Sequence, residues 1–228
     1  MKKLIIVGLS VNARHIYSFV QYHKLFEVVG FAVTREFKDR DTFYGLPVYS
    51  LEDIEKYVDV NEVEFFVALL WNKLNADRKQ LYNLIKKKNY RLANVISPTA
   101  AIRGELLGDN CWIHDFVVIQ NNTTIGSNVA IMTQSIIGAD TTIGDHCFFG
   151  ARSMVGGGSR IGDQCFVGMA CTVFDGTTVG KKCILGACTA IKRNVPDFSL
   201  CKTTIDYQIK QYTEDEIENK LLAARNVR

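Results

Sequence analysis

The chain has 228 residues, which is room for two domains, and a formal net charge of only +3. So small a charge argues against a general nucleic-acid binder. No apolar run approaches the roughly 18 residues of a membrane-spanning helix, and Asn12, Arg14 and His15 interrupt the N-terminal apolar run too early for a signal peptide. We therefore expect a cytoplasmic protein without membrane insertion and without a nucleic-acid partner.

The first ninety residues alternate apolar strands with helical stretches. Predicted strands cover residues 3–7, 28–33 and 64–70, and predicted helices cover residues 11–23, 51–58 and 75–88. This alternation is typical of a small parallel α/β domain. We place that domain at residues 1–94.

The turn after the first strand reads GLSVNA over residues 8–13, a degenerate form of the GxGxxG turn. A dinucleotide-binding fold would also carry an acidic residue after the second strand to hold the ribose hydroxyls. Thr34 and Arg35 stand there instead, which disfavours a nicotinamide enzyme. Two interpretations stay open: the turn binds a phosphate at the helix N-terminus, or Gly8 and Ser10 only form the turn and cap the helix.

From Val95 to Val195 the sequence repeats every six residues. The inward positions of this repeat are Val95, Ala101, Leu107, Ile113, Ile119, Ile125, Ile131, Ile137, Ile143, Phe149, Val155, Ile161, Val167, Val173, Val179, Leu185 and Ile191. Glycine follows this residue in ten of the seventeen hexads, and a small residue nearly always comes four positions after it, with Glu105 as the exception.

Each hexad predicts a short strand and a tight turn, and three hexads predict one triangular coil. The inward residues should stack on their equivalents eighteen positions away, and the glycines should allow the turns their unusual backbone angles. Pro98 and Pro196 bracket the array, and no proline interrupts the ladder between them. A β-helix is therefore predicted for residues 95–196.

The cysteines fit the same repeat. Cys147, Cys165 and Cys183 lie eighteen residues apart, so we expect them to form one column of small core residues. No CxxC pair and no Cys/His cluster with zinc-site spacing occurs in the sequence, so no metal is expected.

Residues 197–228 are predicted to be a capping segment. The run from Thr213 to Glu216 is a capping box that opens a C-terminal helix. Ile217, Leu221 and Leu222 give that helix an apolar face. A bare final coil would expose unpaired backbone and apolar core, so the helix is expected to cover the open end of the stack or a neighbouring subunit.

The hexad pattern of an aliphatic residue, glycine and a small residue resembles that of the hexapeptide-repeat acyltransferases. The resemblance implies a left-handed parallel β-helix, a homotrimer, and acyl-CoA bound in grooves between neighbouring helices. With the small Rossmann-like α/β domain in front, the chain resembles the bacterial sialic-acid O-acetyltransferases and bacillosamine-pathway N-acetyltransferases. That resemblance implies transfer of an acetyl group from acetyl-CoA to a nucleotide-linked sugar in surface-glycan synthesis.

The resemblance also implies two sets of binding residues. The turns that match the family's nucleotide-sugar site contain Gly8, Ser10, Thr34, Arg35, Trp71 and Asn72. The segments that match its CoA site contain Gly150, Gly168, Met169, Gly186, Ala187 and Lys192. The family's Gly-x-Pro-Ala segment after the helix is absent, since residues 199–204 read SLCKTT.

The catalytic position departs from the family pattern. Ala139 stands where the family usually has a histidine, Asp140 follows it, and Phe148 matches a second frequent histidine. Three interpretations remain open. The enzyme acts without that histidine on an amine acceptor; another residue, His146 or the pair His114–Asp115, is the base; or the protein is an inactive member that binds a nucleotide sugar or assists assembly.

Overall fold

The computed structural model describes residues 1–106 and 108–203, together with residues 211 and 213. Residues 1–94 contain strands β1 (Lys3–Val7), β2 (Glu27–Val33), β3 (Thr42–Phe43), β4 (Leu46–Ser50) and β5 (Val63–Val67), and helices α1 (Val11–His23) and α2 (Ala76–Lys87). The strands form one sheet in the order β3-β4-β2-β1-β5, and only the pair β3–β4 is antiparallel. The predicted α/β domain is confirmed.

The hairpin β3–β4 and the segment after it differ from the sequence prediction. The helix predicted at residues 51–58 is a single 3₁₀ turn at Ile54–Lys56. Tyr44 and Gly45 connect β3 to β4 with φ angles of 52° and 74°, as in a two-residue hairpin turn. Tyrosine is not among the residues that signal such a turn, so the sequence alone does not predict the hairpin.

The rest of the described chain is a left-handed parallel β-helix with three faces. The first face contains β6 (Val95–Ile96), β9 (Trp112–Ile113), β12 (Ala130–Ile131), β15 (Phe148–Phe149), β18 (Phe166–Val167), β21 (Ile184–Leu185) and β23 (Leu200–Cys201). The second face contains β7 (Ala101–Ile102), β10 (Val118–Ile119), β13 (Ile136–Ile137), β16 (Met154–Val155), β19 (Thr172–Val173) and β22 (Ala190–Ile191). The third face contains β8 (Glu105–Leu106), β11 (Thr124–Ile125), β14 (Thr142–Ile143), β17 (Arg160–Ile161) and β20 (Thr178–Val179).

The core of the β-helix follows the predicted eighteen-residue stacking. Ile131 pairs with Phe149, and Phe149 pairs with Val167. All three are fully buried. The column of Cys147, Cys165 and Cys183 is also buried, and each thiol donates a hydrogen bond to a carbonyl oxygen of the next coil at 3.1–3.2 Å. These cysteines are core residues, as predicted.

At the two ends of the array, the inward residues depart from the six-residue spacing. In the first coil Ile96, Ile102 and Leu106 pack against the core, so Ala101 does not take the inward position that the repeat predicts. Val95 instead faces outward and is buried against the α/β domain. At the other end Leu185 pairs with Cys201, only sixteen residues on. The stack therefore continues beyond residue 196.

The physical role of the repeat glycines needs correction. The left-handed residue of each turn comes two positions after the glycine, for example Asn128 and His146, with φ of 57° and 60°. The glycine itself is needed because the next coil passes too close for a side chain. A Cβ on Gly162 would lie 2.6 Å from the backbone nitrogen of Lys181.

The predicted C-terminal helix from Thr213 onward lies outside the described residues. Within the described part of the chain, no helix has the length and apolar character that crossing a membrane requires.

We predict that Gly162→Ala destabilises the β-helix and that Gly176→Asn does not. The alanine methyl would overlap the backbone of the next coil, which should cost about 1–3 kcal/mol of unfolding free energy. Gly176 has φ of 66° and nothing within 4 Å of an added Cβ, and asparagine tolerates that conformation. Urea unfolding of both variants is the measurement. Equal losses would contradict the close-approach explanation.

Candidate functional site

The two predicted catalytic residues lie on different edges of the β-helix. Asp140 lies beside Ala139 on the edge between the second and third faces, and its carboxylate accepts a hydrogen bond from Asn122 Nδ2 at 3.1 Å. His146 lies on the edge between the third and first faces, under helix α2. The structure therefore does not bring Asp140 and His146 together.

At the Ala139 position the edge carries little side-chain bulk. The Ala139 N–H donates to Gln120 Oε1 at 3.0 Å. One coil further on, residues 156–158 are all glycine. Asp175, in the next coil, accepts a hydrogen bond from the Gly157 N–H at 2.7 Å. The edge thus combines small residues with the Gln120 amide oxygen and the Asp175 carboxylate, and it has no imidazole.

His146 belongs to a buried polar ladder that joins the domains. Asn110 Oδ1 accepts from the Val67 N–H at 2.7 Å, Asn110 Nδ2 donates to Asn128 Oδ1 at 2.8 Å, and Asn128 Nδ2 lies 2.9 Å from His146 Nδ1. The His146 ring packs edge-on against Tyr82 of α2 at 5.3 Å. This placement argues against His146 as the base, because its ring is used in domain docking.

The electrostatics of His146 agree with a structural role. Burial, with a smaller contribution from the positive charge of Lys79, lowers the pKa of His146 to about 4. The imidazole is therefore neutral at pH 7, and a base with so low a pKa is poorly matched to proton removal at that pH.

The pair His114–Asp115 is also part of the domain junction. The His114 ring lies 4.7 Å from that of Phe19 on α1. Asp115 Oδ1 lies 2.9 Å from His23 Nε2 and accepts from Ser97 Oγ at 2.5 Å. Burial lowers the pKa of His114. The pair sits between the first and second faces, away from the Ala139 edge.

The predicted nucleotide-sugar residues lie at the carboxyl ends of β1, β2 and β5. The Gly8 N–H donates to the Ala32 carbonyl at 2.8 Å, which holds the first turn against β2. Ser10 Oγ caps α1 by accepting from the Asn12 N–H at 3.3 Å. Thr34 follows β2. This edge is where ligands bind in open α/β sheets.

Arg35 is engaged by two acidic residues that the sequence analysis missed. Arg35 Nη2 lies 2.7 Å from Asp53 Oδ2, and its backbone N–H donates to Glu52 Oε2 at 2.9 Å. Both acids follow β4, which pairs with β2. Two carboxylates thus lie near the end of the second strand, supplied by the segment that follows the neighbouring strand. Only recognition of the β3–β4 hairpin could have revealed them.

Trp71 and Asn72 precede a strained turn. Lys73, Leu74 and Asn75 have φ of 47°, 53° and 63° in succession, and such conformations cost about 1–3 kcal/mol each when the surroundings impose them. The β-helix holds this turn. Asn75 Nδ2 donates to the Cys165 carbonyl, and Gln164 Nε2 donates to the Leu74 carbonyl, both at 3.0 Å.

Trp71 also rests on the first face of the β-helix. Its ring centroid lies 4.8 Å from that of Phe148, which stacks on Phe166 at 5.3 Å with an angle of 14° between the rings. Trp71 remains 48% exposed. A flat aromatic surface is therefore open beside the carboxyl edge of the sheet.

The predicted CoA residues divide between two edges. Gly150, Gly168, Met169, Gly186 and Ala187 lie on the edge between the first and second faces. Lys192 lies on the edge between the second and third faces, which is the edge of Ala139. The second face separates these two groups of residues.

The outer surface of the second face is mostly apolar. Its outward residues, in ladder order, are Val118, Ile136, Met154, Thr172 and Ala190. The third face presents Thr124, Thr142, Arg160 and Thr178 in the same places. Met154 is 43% exposed. The second face therefore has the character of a contact surface.

Among the described residues, no group of three or more His, Cys, Asp and Glu side chains could hold a metal ion.

Comparison with known proteins agrees with this architecture. The sequence profile of the bacterial transferase hexapeptide (six repeats) matches residues 106–139 and 122–157, and that of the hexapeptide repeat of succinyl-transferase matches residues 159–193. A search of curated protein sequences finds no match.

Solved structures match most of the chain. A histidine-to-alanine variant of GDP-perosamine N-acetyltransferase from Caulobacter crescentus, in complex with CoA and GDP-perosamine, has a TM-score of 0.75 at 25% identity. The match covers 87% of this chain and 92% of that chain.

Two further neighbours support the fold. The acetyltransferase domain of PglB from Neisseria gonorrhoeae, with acetyl coenzyme A, has a TM-score of 0.76 at 17% identity and covers 87% of this chain and 95% of its own. WeeI from Acinetobacter baumannii has a TM-score of 0.59 at 18% identity, with 85% and 93% covered. The predicted resemblance is confirmed: the β-helix consists of hexapeptide repeats of the bacterial transferase type, and its whole-chain structural neighbours include sugar N-acetyltransferases.

We predict that His146→Asn removes a pH-dependent part of the stability. Between pH 6.5 and pH 4 the unfolded chain binds a proton at His146 that the folded protein excludes, because the folded pKa is about 4. This contribution is fully present above pH 6.5 and is lost as the pH falls towards 4, by up to roughly 3 kcal/mol.

Urea unfolding of the wild type and His146→Asn at several pH values between 7.5 and 4 measures this difference. Gln164, the next residue of the same column, provides the control variant Gln164→Asn, which removes no titratable group and should keep the wild-type pH dependence. An unchanged pH dependence in His146→Asn would contradict the buried neutral imidazole.

Proposed function

We propose that the protein transfers an acetyl group from acetyl-CoA to an amino group of a nucleotide-linked sugar, in surface-glycan synthesis in the cytoplasm. The observation that carries the proposal is the whole-chain likeness to GDP-perosamine N-acetyltransferase, which includes the α/β domain as well as the repeats. The variant of that enzyme binds both CoA and GDP-perosamine with one of its histidines replaced by alanine. This supports ligand binding by a relative that lacks a histidine.

The α/β domain is the proposed site of the nucleotide. Gly8, Ser10 and Thr34 present backbone and hydroxyl groups at the carboxyl edge of the sheet, and Trp71 offers an aromatic surface beside them. Arg35 already has an ion pair with Asp53, so we propose that it shapes this edge and does not meet a phosphate as a free charge.

Acetyl-CoA is proposed to lie along the edge between the first and second faces. The predicted CoA residues on this edge are glycine or alanine apart from Met169, and a pantetheine arm could run close to the backbone there. Lys192 and Arg193 are exposed at the same end of the β-helix but on the next edge. Their contact with the same CoA molecule would therefore come from a second copy of the chain.

We propose a homotrimer, which this division and the apolar second face support. If second faces lie against neighbouring copies, the small-residue edge of one copy meets the Ala139 and Lys192 edge of the next. The proposed donor, acceptor and basic residues would then share one groove. The exposure of Met154 and the apolar residues in its column support such a contact.

The chemistry at Ala139 suits an amine acceptor. The neutral amine nitrogen attacks the thioester carbonyl carbon, the C–N bond forms, the C–S bond breaks, and the proton leaves to the CoA thiolate or to water. An amine needs no base once it is neutral, whereas a hydroxyl does. Asp140, beside Ala139, is proposed to orient the incoming amine as a hydrogen-bond acceptor.

A second candidate function is an inactive member that binds a nucleotide sugar or assists assembly. Ala139 and the docking role of His146 favour it, because neither edge then supplies an obvious base. Calorimetric titration separates the two candidates. Micromolar binding of acetyl-CoA supports the transferase, whereas binding of a nucleotide without acetyl-CoA, or of neither, supports the second candidate.

We predict that Ala139→His increases the turnover of sugar acceptors that react through a hydroxyl. The imidazole would supply the base that a hydroxyl needs, at the position where the family has one, which is worth about 100-fold or more. A thiol-release assay with acetyl-CoA and nucleotide-linked sugars that carry hydroxyls but no amino group measures kcat. Asn121→His is the control, because it places the same side chain one coil earlier on the same edge, and its kcat should not rise. A decrease with Ala139→His would contradict the assignment of this edge.

We predict that Met154→Glu dissociates the oligomer and that Thr142→Glu does not. Both residues face outward from strands, on the apolar second face and the polar third face respectively. A charge buried in an apolar contact is costly, whereas a charge on the solvated face is not. Light scattering after size-exclusion chromatography gives the mass. A trimer that survives Met154→Glu, or a wild-type monomer, would contradict the proposed contact.

A further inference from the structure

A small cavity lies where the α/β domain meets the β-helix. Its wall includes Ile16 of α1, residues 66–70 at the end of β5, Arg78 of α2, and Trp112 and Ala130 of the first face. The cavity volume is about 10 Å³, which is room for one small species such as a water molecule or a monatomic ion. The wall is apolar apart from a few polar groups.

Two of these polar groups are buried N–H donors that find no acceptor among the described residues. They are Arg78 Nε and Trp112 Nε1, and the two residues are only 2% and 4% exposed. Leaving a buried donor unpaired costs about 1–3 kcal/mol, and more for a charged group. Two such donors at one cavity therefore call for a shared partner.

Arg78 also lacks a counter-charge. Its Nη2 donates to the carbonyl oxygens of Cys147 and His146 at 2.8 and 3.3 Å, and within residues 1–106 and 108–203 no carboxylate forms an ion pair with it. Burial lowers the pKa of Arg78 only to about 10. The guanidinium is thus charged at neutral pH in an apolar surrounding.

The remaining polar side chain of the wall supplies no free acceptor. Asn110 Oδ1 already accepts from the Val67 N–H, and Asn110 Nδ2 donates to Asn128. The two unpaired N–H groups at the cavity therefore need a partner that accepts hydrogen bonds. Its size excludes phosphate, sulfate and carboxylates.

We infer that this cavity is a binding site for one small hydrogen-bond acceptor, a chloride ion or a water molecule, held between Arg78 Nε and Trp112 Nε1. Chloride would accept both hydrogen bonds and offset the arginine charge. Water would accept both hydrogen bonds without offsetting the charge. The site joins α1, β5, α2 and the first face, so its occupant stabilises the docking of the two domains. It is independent of acyl transfer.

Thermal unfolding in sodium chloride and in sodium gluconate, at equal ionic strength and pH, tests the chloride form. A specific chloride site raises the unfolding midpoint with chloride concentration. Trp112→Phe keeps the ring and removes the donor, so the chloride dependence should disappear in that variant. Trp71→Phe is the control, because it alters the exposed tryptophan, and it should keep the dependence.

A crystal structure with bromide in place of chloride distinguishes the remaining outcomes. An anomalous bromide peak within hydrogen-bond distance of both donors identifies an anion site. Density of a single water there, with no chloride dependence, also supports the inference and identifies the occupant. An empty cavity, or an Arg78 Nε that bonds a protein oxygen instead, would overturn it. Arg78→Met is a second variant; if it does not fold, Trp112→Phe still decides.

Discussion

The stacking of each coil on the next, eighteen residues on, determines where every other part of the molecule can lie. At Gly138, Gly150 and Gly162 the backbone of the next coil lies within 3 Å of any added Cβ, so only glycine fits these positions without a shift. Because of this register, residues eighteen positions apart lie above one another in a column. In one column of left-handed turn residues, Asn110, Asn128 and His146 thereby form a hydrogen-bonded polar ladder, and Gln164 is the next residue of the column. The α/β domain docks on that ladder and on the adjoining apolar face.

Periodicity made the β-helix predictable, since a repeat that is both local and long leaves few alternatives. The hairpin β3–β4 was not predictable, because its turn uses Tyr44 where asparagine would have signalled it. The position of His146 was not predictable either. A hexad register states which edge a residue occupies but not which domain covers that edge, and the covering depends on long-range contacts such as Arg78 with the Cys147 carbonyl. The same limit applies to Glu52 and Asp53, which reach Arg35 only through the pairing of β4 with β2.

The domain junction combines apolar packing with several buried or partly buried polar contacts. Tyr82, Arg78 and Asn75 of α2 and its preceding turn all meet main-chain or side-chain groups of the third–first edge. Polar contacts of this kind contribute little net free energy, but they are costly to leave unmade, so they favour one register of docking over its neighbours. The strained turn after Asn72 is held by this register. The geometry of the proposed nucleotide-sugar edge therefore depends on the β-helix as well as on its own sheet.

On the proposed function, the absence of a histidine at position 139 changes which acceptor reacts and does not abolish transfer. Two of the four histidines, His146 and His114, are committed to the domain junction with lowered pKa values, so neither replaces a base at the Ala139 edge. On the proposed function, the acceptor must then be nucleophilic without help from a base of the protein. A sugar amine does so through the fraction that is neutral at the working pH, whereas a hydroxyl at that edge would lose the factor of roughly 10²–10⁴ that a positioned base supplies. On the same proposal, the carboxylate of Asp140 accepts a hydrogen bond from the amine, and the glycines at 156–158 add no side-chain bulk beside Ala139. The proposed preference for an amine over a hydroxyl thus rests on the lack of a base at this edge.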